Sequence, residues 1–226
     1  FILQYEQPAP NNIEADKSPI SNHNIKRLFP LKNNTSTHFD ITETERIECK
    51  ESLNTPIKTI AAFANNKGGY FALGIKDATW EIVGIPDAKL HKFDFNKLNQ
   101  AIRSSLGMEI KLQNKIVAYG DKKVMYIYVE EARTKPVILI KGGDGTAEGH
   151  IYYRYPAEDR LITPTDLQNI IEEKEIDTLI LVDGGTDSLM QGHEAGLGTP
   201  TEDSTTIVAA HGIELKKKYL AAIGFG

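Results

Sequence analysis

Glu43-Thr44-Glu45-Arg46-Ile47-Glu48-Cys49-Lys50, followed by Ala62-Phe63-Ala64-Asn65-Asn66-Lys67-Gly68-Gly69, decides how this chain folds. Residues 46–50 alternate, with Ile47 and Cys49 on one side and Arg46, Glu48 and Lys50 on the other, the pattern of a half-buried strand. Thr55-Pro56 then starts a helix, because threonine caps well and proline suits the first helical position. Ile57, Ile60, Ala61 and Ala64 follow at helical spacing, and Gly68-Gly69 stops the helix. Residues 70–75 read as a buried strand, 76–80 as a turn carrying Asp77, and 81–85 as the returning strand of a hairpin.

Further along, Asp94 caps a second helix with Leu98, Ala101, Ile102 and Ser105 on one face. Strand patterns recur over 110–112, 116–119 and 124–129, and residues 136–140 and 150–155 form a hairpin across the glycine-rich stretch 142–149. Thr163-Pro164 repeats the helix start. The fold class is therefore α+β, a mostly antiparallel sheet with flanking helices, over residues 40–174. Residues 1–39 show scattered apolar positions without sustained period and read as an extended N-terminal arm.

From 175 to 226 the character changes. Residues 178–182 are an all-apolar strand of the parallel, buried type, Thr199-Pro200 starts another helix, and 219–223 supplies a second parallel strand. This is a partial Rossmann-like β-loop-α-β piece, too small to bury both faces of its own sheet. A glycine-lined loop at the carboxyl end of a parallel strand is where such sheets hold nucleotides. Asp183, Gly184, Gly185, Thr186 and Asp187 are the candidate contacts, the alternative being tight-loop chemistry that needs glycine for its backbone angles.

Composition narrows the classes. The 226 residues are 40% apolar and 25% charged, as in ordinary globular proteins, and no apolar run approaches membrane-spanning length. A single cysteine, Cys49, can form neither an internal disulfide nor a thiolate zinc site, which suits a cytoplasmic protein. With a net charge of -5 the whole molecule is no polycation, so any nucleic-acid contact must be local. The start at Phe1 and the stop in mid-pattern fit a piece of a longer chain. The six histidines are dispersed, without zinc-ligand spacing.

A strand bearing Glu48 and Lys50, a helix stopped by Gly-Gly and a turn carrying Asp77 would bring Glu43, Glu48 and Asp77 to one sheet edge. Three convergent carboxylates suit a hard divalent cation, Mg²⁺ or Mn²⁺, which can activate water and offset charge on a phosphodiester. Strict alternation puts Glu43 and Glu48 on opposite faces, so Glu43 must lie in a bend before the strand. The plainer reading makes Glu43 and Asp77 solvated turn residues and pairs Glu48 with Lys50 or Arg46 on a wet sheet face. Asn65 to Gly69 is a helix C-cap that could also offer backbone N–H groups to a phosphate. Among the basic residues interleaved with tyrosines, Lys135, Lys141 and Arg154 are the candidate nucleic-acid contacts, with Lys67 of the C-cap, and a solvated sheet face is the alternative for most of the basic set.

These motifs, with Leu73-Gly74-Ile75-Lys76-Asp77, Ile82-Val83-Gly84-Ile85, Lys135-Pro136-Val137 and Ile151-Tyr152-Tyr153-Arg154, resemble the Schlafen AlbA-like domain in order and spacing. The resemblance implies contact with RNA or DNA. In the family's nucleases two glutamates five apart and an aspartate in the next hairpin are the catalytic acids that cut transfer and ribosomal RNA. By position these are Glu43, Glu48 and Asp77, with Lys50 beside them, and the implied chemistry is a metal-dependent endoribonuclease. Those nucleases bracket RNA with two lobes in one chain, so one lobe here implies a homodimer or higher oligomer. Other relatives are only nucleic-acid-binding modules, which leaves a non-catalytic regulator open, as does a nucleotide-sensing scaffold. Residues from Ile180 to Gly226 resemble domain of unknown function 1152.

Overall fold

A computed structural model describes residues 18–33, 36–143, 145–183 and 210–222. They fall into two compact units, Phe1–Leu161 and Ile162–Gly226. No helix among the described residues is long and apolar enough to cross a membrane.

In the first unit, β1 (Ile47–Lys50), β2 (Gly69–Leu73), β3 (Leu112–Tyr119) and β4 (Lys122–Val129) form one sheet in the order β1-β2-β4-β3. β1 and β2 are parallel, as their connection through a helix requires, and the other pairings are antiparallel. The fold is thus mixed α+β with a mainly antiparallel sheet. Residues 81–85 do not pair with β2 in a ladder, because β1 and β4 already occupy both its edges. They meet the chain just past β2 instead, through an antiparallel bridge between Ile75 and Ile82 and backbone bonds from Lys76 to Glu81 and from Val83 and Gly84 to the Gly74 carbonyl.

Both faces of the sheet are covered, which is why β2 is buried along its whole length. On one face Phe71, Leu73, Met125, Ile127 and Val129 pack with α2 (Ile57–Asn65) and α4 (Phe95–Leu106). Asp94 caps α4 by accepting the Asn96 and Lys97 N–H groups, and Gly107 ends it in the left-handed conformation. Between them lies the short α3 (Asp87–Leu90).

Ile47, Cys49, Tyr70, Ala72, Val124 and Tyr126 line the other face, and Ile25, Phe29 and Phe39 cover it. The stretch before residue 40 is therefore not an extended arm where it is described. α1 (Asn22–Leu28), capped by the Ser21 hydroxyl, lays Ile25 on the sheet. Phe29 follows, its ring 4.8 Å from that of Tyr126. Seven residues are too short for a helical period to be visible in sequence.

β5 (Tyr152–Tyr155) pairs with β6 (Glu158–Leu161), a strand with no apolar alternation to announce it. Residues 139 and 149–150 are joined by backbone hydrogen bonds, the trace of the hairpin expected there.

In the second unit Thr163 caps α5 (Pro164–Glu173), as its Thr-Pro start predicts. β7 (Thr178–Asp183) and β8 (Lys217–Ala222) are parallel. Gln168 of α5 exchanges two hydrogen bonds with the Glu214 backbone, so α5 belongs with these strands rather than with the preceding domain. The helix expected after Thr199 lies largely outside the described residues.

Candidate functional site

The chain bends before β1, as the spacing of the two glutamates demands. Thr44 bridges to Ile47, and a Glu43 carboxylate oxygen turns back to accept the Cys49 backbone N–H at 2.8 Å. Burial lifts the Glu43 carboxyl above its ordinary value, the Cys49 N–H opposes this, and the negative charges of Glu48 and Asp77 add to the rise. Asp77 sits in the exposed turn after β2, where its carboxylate accepts the Ala78 N–H at 2.7 Å. Lys50 loses some affinity for its proton to burial, but its bond to Glu48 and the charges of Glu43 and Asp77 outweigh that and raise it. Burial, followed by the same three acids, pushes the Cys49 thiol far up. Glu43, Glu48, Asp77 and Lys50 therefore share one electrostatic neighbourhood.

They do not form a cage. Among the described residues no group of three His, Cys, Asp or Glu side chains is placed to hold a metal ion. Both Glu48 oxygens face cations, one at 2.5 Å from Lys50 Nζ and the other at 2.7 Å from Arg154 Nη2. The wet face expected around Glu48 is also absent, since this residue is 6% exposed. As arranged, these residues do not fit the Mg²⁺ or Mn²⁺ that the resemblance implies.

Arg154 is not a surface contact for nucleic acid. It is 2% exposed, and its guanidinium joins Glu48, the Ile47 carbonyl at 2.9 Å and Asp159 at 2.9 Å. Thr59 of α2 donates to the other Asp159 oxygen at 2.6 Å. One guanidinium thus ties β1, β5 and β6 together, stacked 5.2 Å from the Phe63 ring. The positive charge is shielded from any phosphate by the elements it holds.

Lys135 is corrected in the same way. It is 6% exposed and donates to the Asn66 carbonyl at 2.6 Å and to Glu131 at 2.7 Å. Asn65 uses its whole amide inside, donating to the Val137 and Tyr152 carbonyls and accepting the Val137 N–H. Asn66 donates to the Arg154 carbonyl at 2.8 Å. The two asparagines clasp the closing strand onto the end of α2.

The glycines after them are dictated by packing. Gly68 has φ +70°, and a Cβ there would lie 2.6 Å from the Val129 carbonyl oxygen. A Cβ on Gly69 would fall 2.2 Å from the Phe63 ring.

Lys67 and Lys141 are exposed, as a phosphate contact requires. Asp183 ends β7, while Gly184, Gly185, Thr186 and Asp187 lie outside the described residues. Asp159 and Thr59 escaped the sequence reading. So did the outward placement of Tyr153, Tyr155 and Arg160, although strict alternation about Arg154 would have signalled the two tyrosines.

Comparison with known proteins bears on the same residues. A model described as protein of unknown function (DUF1152) matches residues 156–226. An uncharacterized ATP-binding protein of Ureaplasma parvum is 32% identical over 163 residues, covering 62% of this chain and 46% of that protein. The chain thus spans less than half the length of that curated relative.

Among solved structures, a Corynebacterium diphtheriae protein aligns at 19% identity and a TM-score of 0.43, over 62% of this chain and 29% of that one. The N-terminal domain of a RecG-related protein from Nitrosomonas europaea aligns at 27% identity and a TM-score of 0.36, over 54% of this chain and 87% of that one. The Schlafen, AlbA_2 model matches residues 43–163. With more than half of its length matched by that model, the chain belongs to the Schlafen AlbA_2 family.

Proposed function

We propose that the first unit is a nucleic-acid-binding module, with RNA or DNA as its partner. The observation that carries this is the family match over residues 43–163. The charge distribution agrees with it. Arg154 and Lys135 are consumed inside, while Lys67, Lys141, Lys111 and Arg133 stay in water on a chain whose net charge is -5. Binding of this kind is local and electrostatic, so log K falls linearly with log salt.

Cleavage of transfer or ribosomal RNA is the finer reading. The shared neighbourhood of Glu43, Glu48, Asp77 and Lys50 favours it, but it requires Glu48 to exchange two cations for a metal ion. Nucleotide binding by residues 183–187 draws support from the name of the Ureaplasma relative.

Fluorescence anisotropy with labelled RNA and DNA across a salt series tests the main reading. Salt-dependent binding is expected, and its absence for every nucleic acid would refute it. Total RNA incubated with Mn²⁺, with and without EDTA, separates the two readings. Discrete fragments from wild type but not from Glu43→Gln would establish cutting, and intact RNA would leave a binding module.

A further inference from the structure

We infer that the outer face of the β5–β6 hairpin is a stacking ledge for unpaired bases of single-stranded nucleic acid, built by Tyr153, Tyr155 and Arg160. This rests on the nucleic-acid reading above and specifies its site and substrate class.

Alternation along β5 turns Tyr152 and Arg154 inward and Tyr153 and Tyr155 outward, where both are half-buried. The register sets Tyr153 opposite Arg160. The Arg160 guanidinium lies 3.9 Å from the centroid of the Tyr155 ring, and the two tyrosine rings are 5.3 Å apart. Glu158 stands 4.0 Å from Arg160, and both of those side chains are more than half exposed. Such a pair is weak enough for a phosphate to compete for the arginine.

The ledge continues past Tyr153, whose hydroxyl donates to the Asn66 amide oxygen at 3.3 Å. Lys67, the next residue, is exposed, and a Cβ on Gly68 would lie 3.0 Å from the Tyr128 hydroxyl. The charges of exposed Arg46 and of Glu130 and Glu131 act on Tyr128 in opposite directions, so this end is balanced. The cations along the strip are Lys67 and Arg160, the latter with Glu158 beside it.

Aromatic rings alternating with cations are what single-stranded ligands need. Every base has a π face, so stacking is tolerant of sequence, and the cations follow the backbone. A duplex hides those faces between its own base pairs and gains only the electrostatic part.

The test is anisotropy with a labelled 12-nucleotide oligouridylate and with a duplex of equal length, on the full chain. The single strand should bind tighter. Tyr155→Ala should weaken it roughly five- to a hundredfold, with Tyr155→Phe close to wild type. Arg160→Gln should lower the salt slope by about one. Matching melting curves confirm that the variants are folded, and Arg160→Gln reads the ledge independently of any packing change at Tyr155. Duplex binding as tight as single-strand binding, or Tyr155→Ala and Arg160→Gln without effect, would overturn the ledge and leave nucleic-acid binding standing. No binding to either ligand would remove both.

Discussion

Arg154→Met is the most informative single perturbation, because it deletes a charge while keeping a side chain of similar reach. The variant loses the contacts to Glu48, Asp159 and the Ile47 carbonyl, all 2.7–2.9 Å long. It leaves two carboxylates that are 8% and 11% exposed short of their guanidinium, with Glu48 still facing Lys50 and Asp159 still accepting from Thr59. Removing one partner of a buried ion pair costs about 3–5 kcal/mol, far above the 0–1 kcal/mol of a surface pair. For a domain of this size that is a drop in Tm of roughly 6–20 °C. Urea unfolding followed by tryptophan fluorescence gives the number, since Trp80 packs against the same unit. Adding Glu48→Met to Arg154→Met should restore part of the loss, because one of the two carboxylates that lost the guanidinium is then gone. A single variant within about 1 kcal/mol of wild type would refute the claim that this guanidinium holds β1 to the hairpin.

Gly69→Ala forces a Cβ into the Phe63 ring at 2.2 Å, and overpacking of this kind costs about 1–3 kcal/mol, read as a lower urea midpoint. The Glu43 carboxyl is raised in the folded state by burial, so the native protein holds this proton more tightly than the unfolded chain. Stability from this group therefore falls as pH rises through the range just above the ordinary carboxyl value. Glu43→Gln keeps an acceptor for the Cys49 N–H and should be at least as stable as wild type at pH 7. The difference should vanish near pH 4, and a wild type stabilised by that rise in pH relative to the variant would reverse the sign.

Much of this architecture was legible because local chemistry and global packing agree. The Thr163-Pro164 start, the Asp94 cap and the alternation over residues 124–129 each correspond to a structured element, whereas α2 begins after Pro56, which takes the cap position expected of Thr55. What escaped depended on partners remote in sequence. Asn65 and Asn66 read as the end of a helix, but their amides are committed to backbone 72–88 residues away. Arg154 sat among tyrosines like a binding residue, and only the arrival of Glu48 and Asp159 from two other strands turns it inward. β6 went unseen because Glu158-Asp159-Arg160-Leu161 has no apolar face of its own. The charges of Glu48 and Asp77 act on Glu43, yet nothing local reveals that each Glu48 oxygen already faces a cation.

The asparagine clasp also says something about how the chain is made. While a ribosome has delivered only the first hundred or so residues, the amides of Asn65 and Asn66 lack their mates and the Glu48 carboxylate lacks Arg154, so water must stand in. The first unit closes when Val137, Tyr152 and Arg154 emerge, so its last hairpin acts as a completion check on everything synthesised before it.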